Sequence, residues 1–452
     1  MILTESQLEA VVDLVSTDRR VSRLHGYAGT GKTSAVATRV IQELLDLGAT
    51  VQVLAPTGKA ARVLRSKGLH DAATIHSYLY TPSKRERPEW RETWEPFARR
   101  ALEQKPKLQI AVMVVDEATS ESVVDEEWEE ITSGVPKAMR AEAKSIRQTK
   151  RYQLAFTAAG AIAHYEETGW PASDVLVIDE ASMVSEAVAL DLERTGSRLI
   201  YIGDPAQLPP VAARPSRDAM GEPHHLLTQV HRQKGDSDVL KLATRIRKAE
   251  HPIVDATKPK RLMRLEEYDQ VLCWRNATRE RVNAEIRRRL RRRDPMVPEA
   301  GDKLVCIKNT KPPRDADIRR WMNGEQVTVL GVETTKHEDH VALWLRDDEG
   351  IDHEVVSPVA TLGGHRAEQE YLDRSWGSSD PAFAYGFALT VHKSQGSEWP
   401  TILLVDETPD MISVAARREG RPKALAQARQ WLYTGITRAR DRVDVVHDLR
   451  SV

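Results

Sequence analysis

Gly26-Tyr-Ala-Gly29-Thr-Gly31-Lys32-Thr33 is the stretch of sequence that decides the fold, because it fits the phosphate-binding pattern G-x-x-x-x-G-K-[ST]. Residues 21–24 before it predict a buried strand, and residues 33–47 after it predict a helix that ends at Gly48. Glycines let backbone N–H groups curl around phosphate oxygens, and the start of the helix adds a favourable dipole. The stretch therefore predicts a nucleotide site in a domain with a parallel sheet flanked by helices.

The side chains of this phosphate loop have separate predicted roles. Lys32 is predicted to reach the β- and γ-phosphates, and the Thr33 hydroxyl is predicted to ligate Mg²⁺. The nucleotide ligands that we predict from the loop are Gly26, Gly29, Thr30, Gly31, Lys32, Thr33 and Ser34.

An acidic pair follows a second predicted strand at residues 175–178. Asp179 is predicted to hold the metal through water, and Glu180 to orient or deprotonate the attacking water. A rival pair, Asp116 and Glu117, follows a similar apolar run, but it lies in an irregular stretch and lacks the motifs that come after Glu180. We therefore assign the predicted magnesium site to Thr33 and Asp179.

Three polar residues further along the chain complete the predicted catalytic set. Gln207, in Gly203-Asp-Pro-Ala-Gln-Leu-Pro-Pro210, is an amide positioned to sense the γ-phosphate. Arg232 and Arg438 each have polar residues on both sides in the sequence. A guanidinium stabilises the charge that phosphoryl transfer leaves on the γ-oxygens. Since both arginines belong to a later α/β region, the sequence predicts a site in a cleft between two domains. The predicted catalytic residues are Lys32, Glu180, Gln207, Arg232 and Arg438.

The chain of 452 residues is long enough for two or more domains. Strand and helix patterns alternate in two regions, which indicates two α/β domains with parallel sheets, each interrupted by a stretch of another pattern. The second interruption has β-like segments between Gly and Asn turns and predicts a small antiparallel barrel. The predicted boundaries are 1–81 and 154–215 for the first α/β domain, 82–153 for its insertion, 216–297 and 381–452 for the second α/β domain, and 298–380 for the barrel.

Composition and charge limit the classes of protein that the chain could represent. A hydrophobic content of 40% and a charged content of 29% are typical of a soluble globular protein. No apolar run reaches the roughly 18 residues of a membrane span, no secretory signal is visible, and 2 cysteines cannot build a disulfide framework, so we expect a cytoplasmic location. The formal net charge of -1 argues against nucleic-acid binding by bulk charge but allows a local cationic stripe. We interpret the acidic run 125–130 and the basic run 287–293 as solvated helix faces.

Nine blocks, in this order, resemble the superfamily 1 helicases, specifically the RecD-like branch that includes the phage Dda-type enzymes. The blocks are LTESQ (3–7), GYAGTGKT (26–33), APTGKAARVL (55–64), ATIHS (73–77), VIDEASMV (177–184), GDPAQLPPV (203–211), QVHRQ (229–233), ALTVHKSQGSEW (388–399) and LYTGITRAR (432–440). The resemblance implies an α/β fold with two RecA-like motor domains, ATP and Mg²⁺ as cofactors, and helicase activity.

The resemblance also implies contacts to the base and to a nucleic-acid strand. Gln7 matches the glutamine that reads the adenine edge, and Gly396 and Glu398 match residues along the route to the nucleotide. Contacts to single-stranded DNA are implied on the first domain for Pro56, Thr57, Lys59, Ala60, Thr74 and His76, and on the second for Thr390, His392, Lys393 and Ser394. Serine, threonine and lysine at strand ends suit phosphate and sugar contacts that carry no sequence code.

In this family the two motor domains close on ATP and move along single-stranded DNA from five-prime to three-prime, commonly as monomers. The expected partners are therefore single-stranded DNA and fork junctions, and no membrane. The barrel resembles the family's SH3-like insertion, and we expect Trp321 and Trp344 to pack in its core instead of stacking on bases. The family's first insertion carries a strand-separating pin, but residues 82–153 show no clear hairpin with an apolar tip, so unwinding and translocation alone are both open.

Two other classes compete with a DNA helicase. An RNA-directed motor of superfamily 1 shares most of these blocks, and the motifs do not discriminate the ribose 2′-hydroxyl. A nucleotide switch that regulates a partner is opposed by Glu180, Gln207, Arg232 and Arg438, since a switch needs neither two inserted arginines nor a strand track. The sequence offers no further carboxylate cluster that would indicate a nuclease.

Overall fold

The computed structural model describes residues 3–82, 109–116, 121–127, 165–167, 173–210, 216–229, 237–249, 263–294, 296–310, 321–336, 339–374 and 380–447. The chain divides into two compact units, one formed by Met1–Ile75 with Ala172–Val452 and the other by His76–Pro171. None of the helices in the described ranges is long and apolar enough to cross a membrane.

The secondary structure elements are numbered in chain order. The strands are β1 (Val21–Gly26), β2 (Val51–Ala55), β3 (Ala73–Thr74), β4 (Tyr80–Pro82), β5 (Gln109–Asp116), β6 (Glu121–Glu127), β7 (Tyr165–Glu167), β8 (Val175–Ile178), β9 (Arg198–Gly203), β10 (His225–Leu227), β11 (Gln270–Cys273), β12 (Lys303–Cys306), β13 (Gln326–Thr334), β14 (His340–Asp347), β15 (Asp352–Pro358), β16 (Phe383–Tyr385), β17 (Ala388–Thr390), β18 (Trp399–Val405) and β19 (Ala439–Val446). The helices are α1 (Glu5–Ser16), α2 (Thr38–Asp46), α3 (Gly58–Ser66), α4 (Ile75–Leu79), α5 (Glu186–Arg194), α6 (Arg217–Met220), α7 (Asp238–Arg247), α8 (Asn276–Arg289), α9 (His365–Arg374), α10 (Thr408–Glu419) and α11 (Arg421–Ile436).

The first sheet is parallel and has six strands in the order β10-β1-β9-β8-β2-β3. All four residues of β8 are buried, which explains why this strand reads as a continuous apolar run. Helix α2 places Val40, Ile41 and Leu44 on one face, and these residues pack in the same core as the sheet. The phosphate loop and the acidic pair therefore follow neighbouring parts of one sheet, at the carboxyl ends of β1 and β8.

The second sheet is also parallel and has the order β17-β11-β18-β19. Helix α11 packs on it through Trp431, which is fully buried against Leu404 and other members of the core. The two parallel sheets confirm the prediction of two α/β domains, which we call the first and the second domain.

A five-stranded antiparallel sheet, in the order β15-β14-β13-β12-β16, lies in the chain between β11 and β17. Trp321 is 3% exposed and meets Phe383 edge-on, with ring centroids 5.2 Å apart. The expectation of core packing is therefore confirmed for Trp321 but is wrong for Trp344, which is only partly buried and alternates along β14 with the buried Leu343 and Leu345. The likeness of this insertion to an SH3 barrel stays a prediction. Cys273 and Cys306 are both buried free thiols.

Strand pairing extends three regions beyond their predicted boundaries. β10 joins the first sheet although it lies beyond residue 215, and β16 joins the antiparallel sheet although it lies beyond residue 380. In the second compact unit β7 pairs with β4, and this unit reaches Pro171, not Gln153. Pairings between segments distant in sequence leave no local pattern, so residue patterns could not place these limits.

The second compact unit contains an antiparallel hairpin, β5 with β6, in which Asp116 pairs with Glu121. The first insertion therefore contains a hairpin, but the residues between its strands, 117–120, lie outside the described ranges, so the prediction that no hairpin here has an apolar tip stays a prediction. Asp116, the first residue of the rival acidic pair, ends an antiparallel strand, whereas Asp179 follows a strand of the first parallel sheet. Asp125 to Glu127 belong to β6, so the interpretation of the acidic run as a helix face is wrong for these three residues, and 128–130 lie outside the described ranges.

The basic run 287–293 is only partly a solvated face. Arg287 is 4% exposed and its Nε donates to Asp302 at 3.1 Å. Arg292 donates to the other carboxylate oxygen of Asp302 at 3.0 Å. The interpretation as a solvated helix face is therefore wrong for these two residues, because the buried carboxylate of Asp302 needs paired cations.

Candidate nucleotide site

The phosphate loop follows β1 directly and depends on glycine at defined positions. Gly29 and Gly31 have φ of 80° and 74°, in the left-handed region that favours glycine. A Cβ atom on Gly26 would lie 2.6 Å from the Thr30 hydroxyl oxygen, which donates a hydrogen bond to Tyr27 O at 2.8 Å. The absence of a side chain at Gly26 therefore leaves room for the Thr30 hydroxyl to make this hydrogen bond inside the loop.

A wide helical turn, Lys32–Ala37, leads from the loop into α2. Its first backbone bonds run from the N–H groups of Ala35 and Val36 to Gly31 O, at 2.9 and 3.2 Å. The N–H groups before them remain at the start of the helix, which is the arrangement that suits an anion. Ser34 is exposed on this turn.

The acidic pair lies at the end of β8. The Thr33 hydroxyl donates to the Asp179 carboxylate, at 3.1 Å to Oδ1 and 3.2 Å to Oδ2. Burial, reinforced by the neighbouring Glu180, raises the pKa of Asp179 to about 6, while the charge of Lys32 opposes this shift. A buried carboxylate with a raised pKa beside a phosphate loop is typical of a functional site.

Glu180 has backbone and side-chain features that fit a catalytic residue. Its φ of 52° lies in the left-handed region, which is rare for a residue other than glycine. Its Oε2 is buried and has no hydrogen-bond partner among the described residues. The carboxylate is therefore held ready to accept a hydrogen bond from a ligand or water.

The donor set fits Mg²⁺. Within the described ranges no group of three or more His, Cys, Asp or Glu residues could hold a metal by itself. Mg²⁺ usually takes only one or two protein oxygens and completes its shell with waters and substrate phosphates. Thr33 and Asp179 supply such a pair next to the loop.

A cavity of about 520 Å³, here called the nucleotide cavity, brings most of the predicted catalytic residues together. The first domain contributes Gly29, Lys32, Thr33, Asp179, Glu180 and Gln207, and the second contributes Gly396, Glu398, Thr437 and Arg438. Arg438 is 4% exposed, and its guanidinium donates to Thr434 O at 3.1 Å, to Thr437 Oγ1 at 3.3 Å and to Ser397 O at 3.4 Å. Arg232 lies outside the described residues.

Gln7 lies behind the phosphate loop. Its Nε2 donates to Thr30 O at 2.9 Å, and its Oε1 accepts from Thr4 N at 3.0 Å at the start of α1. Gln7 is 3% exposed, so it braces the loop in this structure. The predicted contact with the adenine edge stays a prediction.

Several of the predicted strand contacts are engaged within the protein. Thr57 caps α3, since its Oγ1 accepts from Ala60 N at 3.1 Å. Ser394 is fully buried and its hydroxyl donates to Val391 O at 2.8 Å. Lys59 lies with its Nζ 5.3 Å from the centre of the Trp399 ring, and burial lowers its pKa, opposed by the charge of Asp348.

The remaining predicted strand residues range from buried to exposed. The Lys393 side chain is 38% exposed, and its Nζ lies 3.9 Å from Glu368 on α9. Thr390, at the end of β17, is 7% exposed and its hydroxyl oxygen accepts from Lys393 N at 3.3 Å. The other residues are Pro56, Thr74 and His392, all partly buried, and His76, which is exposed and belongs to the second compact unit.

Sequence reasoning missed two residues that lie between the domains. The Tyr433 hydroxyl contacts both the phosphate loop, at Ala28, and the buried carboxylate of Asp204. Both residues fall inside quoted blocks, immediately before the Thr-Gly-Ile-Thr-Arg segment and after Gly203. A tyrosine alone gives no signal of such a contact, because its partners are more than 200 residues away in sequence.

Known proteins resemble the chain in both domains. Residues 7–213 match the AAA domain family, and residues 385–446 match the UvrD-like helicase C-terminal domain family. The ATP-dependent RecD2 DNA helicase of Deinococcus radiodurans is 26% identical over 287 residues, which cover 60% of this chain and 36% of that protein. An uncharacterized protein of Methanocaldococcus jannaschii is 43% identical over 79 residues, or 17% of this chain and 6% of that protein.

A solved structure shows the same fold. The Pif1 helicase from Bacteroides, in complex with ADP-AlF3 and single-stranded DNA, matches with a TM-score of 0.50 and 16% identity, covering 98% of this chain and 92% of that one. The class that the fold and the cavity define is therefore a P-loop protein with two RecA-like domains. Within that class the chain resembles the RecD2 DNA helicase in sequence and the Pif1 helicase in fold.

Proposed function

We propose that this chain is an ATP-driven motor that moves along single-stranded DNA as a helicase or translocase, from five-prime to three-prime. One observation carries the proposal: a single cavity holds the phosphate-loop lysine, the acidic pair and Gln207 of the first domain together with Arg438 of the second. A site divided in this way changes whenever the two domains shift, which is what the coupling of hydrolysis to movement requires.

Each residue has a definite task in the proposed hydrolysis. Lys32 and the loop N–H groups bind the triphosphate, and Glu180 orients the attacking water and accepts its proton. Gln207 senses the γ-phosphate. Arg438 stabilises the charge that develops on the γ-oxygens, a contribution of about 10³ to 10⁵ in rate for an inserted arginine. Bound Mg²⁺, held by Thr33 and Asp179, would neutralise phosphate charge.

DNA as the track is supported by the relatives and by residues next to the cavity. The RecD2 relative is named an ATP-dependent DNA helicase, and the Pif1 structure holds single-stranded DNA. In this chain the partly exposed Lys393 follows β17 and precedes Gly396, which lines the nucleotide cavity. A cation so close in the chain to a residue of the nucleotide cavity is well placed to bind a phosphate of the strand.

Steady-state ATP hydrolysis measured with no nucleic acid, with poly-dT and with poly-rU tests the proposal. We expect poly-dT to raise kcat severalfold and poly-rU to raise it less. Stimulation by RNA alone would favour an RNA-directed motor, and no response to either strand would favour a nucleotide switch. Forks with a single tail then test direction, and we expect a five-prime tail to support more unwinding than a three-prime tail.

A further inference from the structure

Tyr433, near the end of α11, joins three parts of the molecule through one hydroxyl group. The hydroxyl accepts a hydrogen bond from Ala28 N in the phosphate loop at 2.9 Å and donates one to Asp204 Oδ2 at 2.7 Å. Tyr433 is 2% exposed and Asp204 is 0% exposed. Ala28 and Asp204 belong to the first domain and Tyr433 to the second, so both bonds cross from one domain to the other.

The direction of this chain of hydrogen bonds is fixed by chemistry. A backbone N–H only donates, so the Tyr433 oxygen accepts from Ala28 N, and the phenolic proton points to Asp204, whose pKa burial raises. Burial raises the pKa of Tyr433, which keeps the phenol protonated. The other Asp204 oxygen accepts from Ala206 N at 3.0 Å, so the carboxylate is satisfied on both sides.

Neighbouring contacts hold the same two loops to the second domain. Thr434 Oγ1 accepts from Leu208 N at 3.0 Å, one residue after Gln207. On the phosphate loop, the Arg247 guanidinium of α7 lies 3.6 Å from the centre of the Tyr27 ring. Both loops are therefore anchored to the second domain, and Tyr433 contacts both of them.

The same stretch of chain also positions the catalytic arginine. Arg438 follows α11 by two residues, and its Nε donates to the carbonyl of Thr434, the residue next to Tyr433. A shift of α11 relative to the phosphate loop therefore moves Arg438 relative to Lys32. A displacement of about 1 Å in a catalytic group costs on the order of 100-fold in rate.

We propose that Tyr433 is a positioning residue that couples the nucleotide loops to the alignment of Arg438. The inference rests on the proposed function, since it assigns Tyr433 a role in ATP hydrolysis. Tyr433 does not touch the reacting atoms. Because its hydroxyl binds both Ala28 and Asp204, a displacement of either residue displaces α11.

The test compares Tyr433→Phe with a matched variant, Tyr268→Phe. The Tyr268 hydroxyl donates to Asp444 at 2.6 Å and accepts from Met263 N at 3.2 Å, so it makes the same two kinds of bond. Tyr268 is 4% exposed and packs in a core of the second domain. The two variants lose the same chemistry, but only Tyr433→Phe loses it between the domains.

Poly-dT-stimulated kcat and the KM for ATP are measured for both variants, with thermal unfolding recorded alongside. For Tyr433→Phe we expect kcat to fall about tenfold or more with KM changed less than about threefold, because positioning acts on the transition state. For Tyr268→Phe we expect kcat within about twofold of wild type, and Tm shifts of a few degrees in both variants. Equal kcat in the two variants would overturn the inference.

A second pair of variants decides the question if Tyr433→Phe does not fold. Asp204→Asn leaves one oxygen for two donors, Tyr433 and Ala206 N, so one of them loses its acceptor, whereas Asp444→Asn removes the matched carboxylate charge beside Tyr268. A selective loss of kcat in Asp204→Asn supports the inference, and equal values contradict it. A wild-type chain without ATP hydrolysis would instead refute the proposed function itself.

Discussion

The nucleotide cavity and the predicted strand contacts differ in how ready their side chains are for a ligand. In the cavity, Glu180 keeps a buried carboxylate oxygen without a partner among the described residues, and Lys32, Asp179 and Arg438 line the same space. Among the strand residues, Thr57 and Ser394 use their hydroxyls within the protein. The comparison indicates that the side chains of the nucleotide cavity are preorganised for a ligand, whereas few of the predicted strand contacts are accessible.

The antiparallel sheet contributes to this difference. Arg62 Nη2 of α3 lies 2.5 Å from Glu325, which is 3% exposed, and Met322 packs against Gly58. These contacts place the insertion over the start of α3, next to Thr57 and Lys59. The predicted strand contacts of the first domain are therefore partly covered in this structure.

Lys32→Ala should show the largest difference between its effect on ATP hydrolysis and its effect on DNA binding. Loss of the lysine removes charge stabilisation of the phosphates, so we expect kcat to fall about 100- to 1,000-fold or more. Affinity for single-stranded DNA should stay within about threefold of wild type, because the predicted strand contacts of the second domain, such as Lys393, do not line the nucleotide cavity. Steady-state hydrolysis and fluorescence anisotropy measure the two effects. Lys423→Ala, at an exposed position of α11, is the control and should change neither.

Lys393→Ala and Ser394→Ala compare a partly exposed predicted strand contact with a buried one. Removal of the partly exposed Lys393 should weaken binding of single-stranded DNA and lower the slope of log K against log[salt] by about one. Ser394→Ala should leave DNA affinity within about twofold and lower stability by about 1 kcal/mol, because it removes a buried hydrogen bond. Anisotropy titrations across a salt series and thermal unfolding distinguish them. A larger loss of affinity for Ser394→Ala would show that this serine moves to reach the strand.

Glu325→Gln should have the smallest effect on strand binding. It weakens the contact that holds the antiparallel sheet on α3, so the covered residues Thr57 and Lys59 become easier to reach. The neutral amide still accepts a hydrogen bond from Arg62, so the contact is loosened without being lost, and we expect DNA affinity to rise by roughly twofold. The control is Glu349→Gln. Glu349 is 55% exposed and its carboxylate lies 3.9 Å from Arg62, so it makes a weaker contact with the same arginine. Unchanged or reduced affinity for Glu325→Gln would contradict the covering role of the insertion.

The sequence was most informative where local patterns carry the structure. The phosphate loop, β8 with its acidic pair, and the two parallel sheets follow from short motifs and buried apolar runs. The antiparallel hairpin β5–β6 was missed because charged residues such as Asp125 obscure its alternation. Pairings such as β10 with β1 depend on contacts about 200 residues apart, which no local pattern predicts.

Within the site, the motifs predicted which residues lie together better than they predicted the contacts of each side chain. Lys32, Thr33 and Asp179 line one cavity, as the motifs predicted, and their roles stay predictions. Ser394 is buried and Gln7 braces the loop, which their residue types do not indicate, because a polar side chain serves equally as a ligand contact or as an internal hydrogen-bond partner.

The central claim is that one site is divided between two domains, and Arg438→Ala tests it most directly. We predict that kcat for poly-dT-stimulated hydrolysis falls by about 10³-fold or more while the affinity for ATP changes less than about fivefold, since the guanidinium acts on transition-state charge. Arg442→Ala, whose side chain is 41% exposed and paired with Asp444, should retain nearly full activity. Equal kcat values for these two variants would contradict the account.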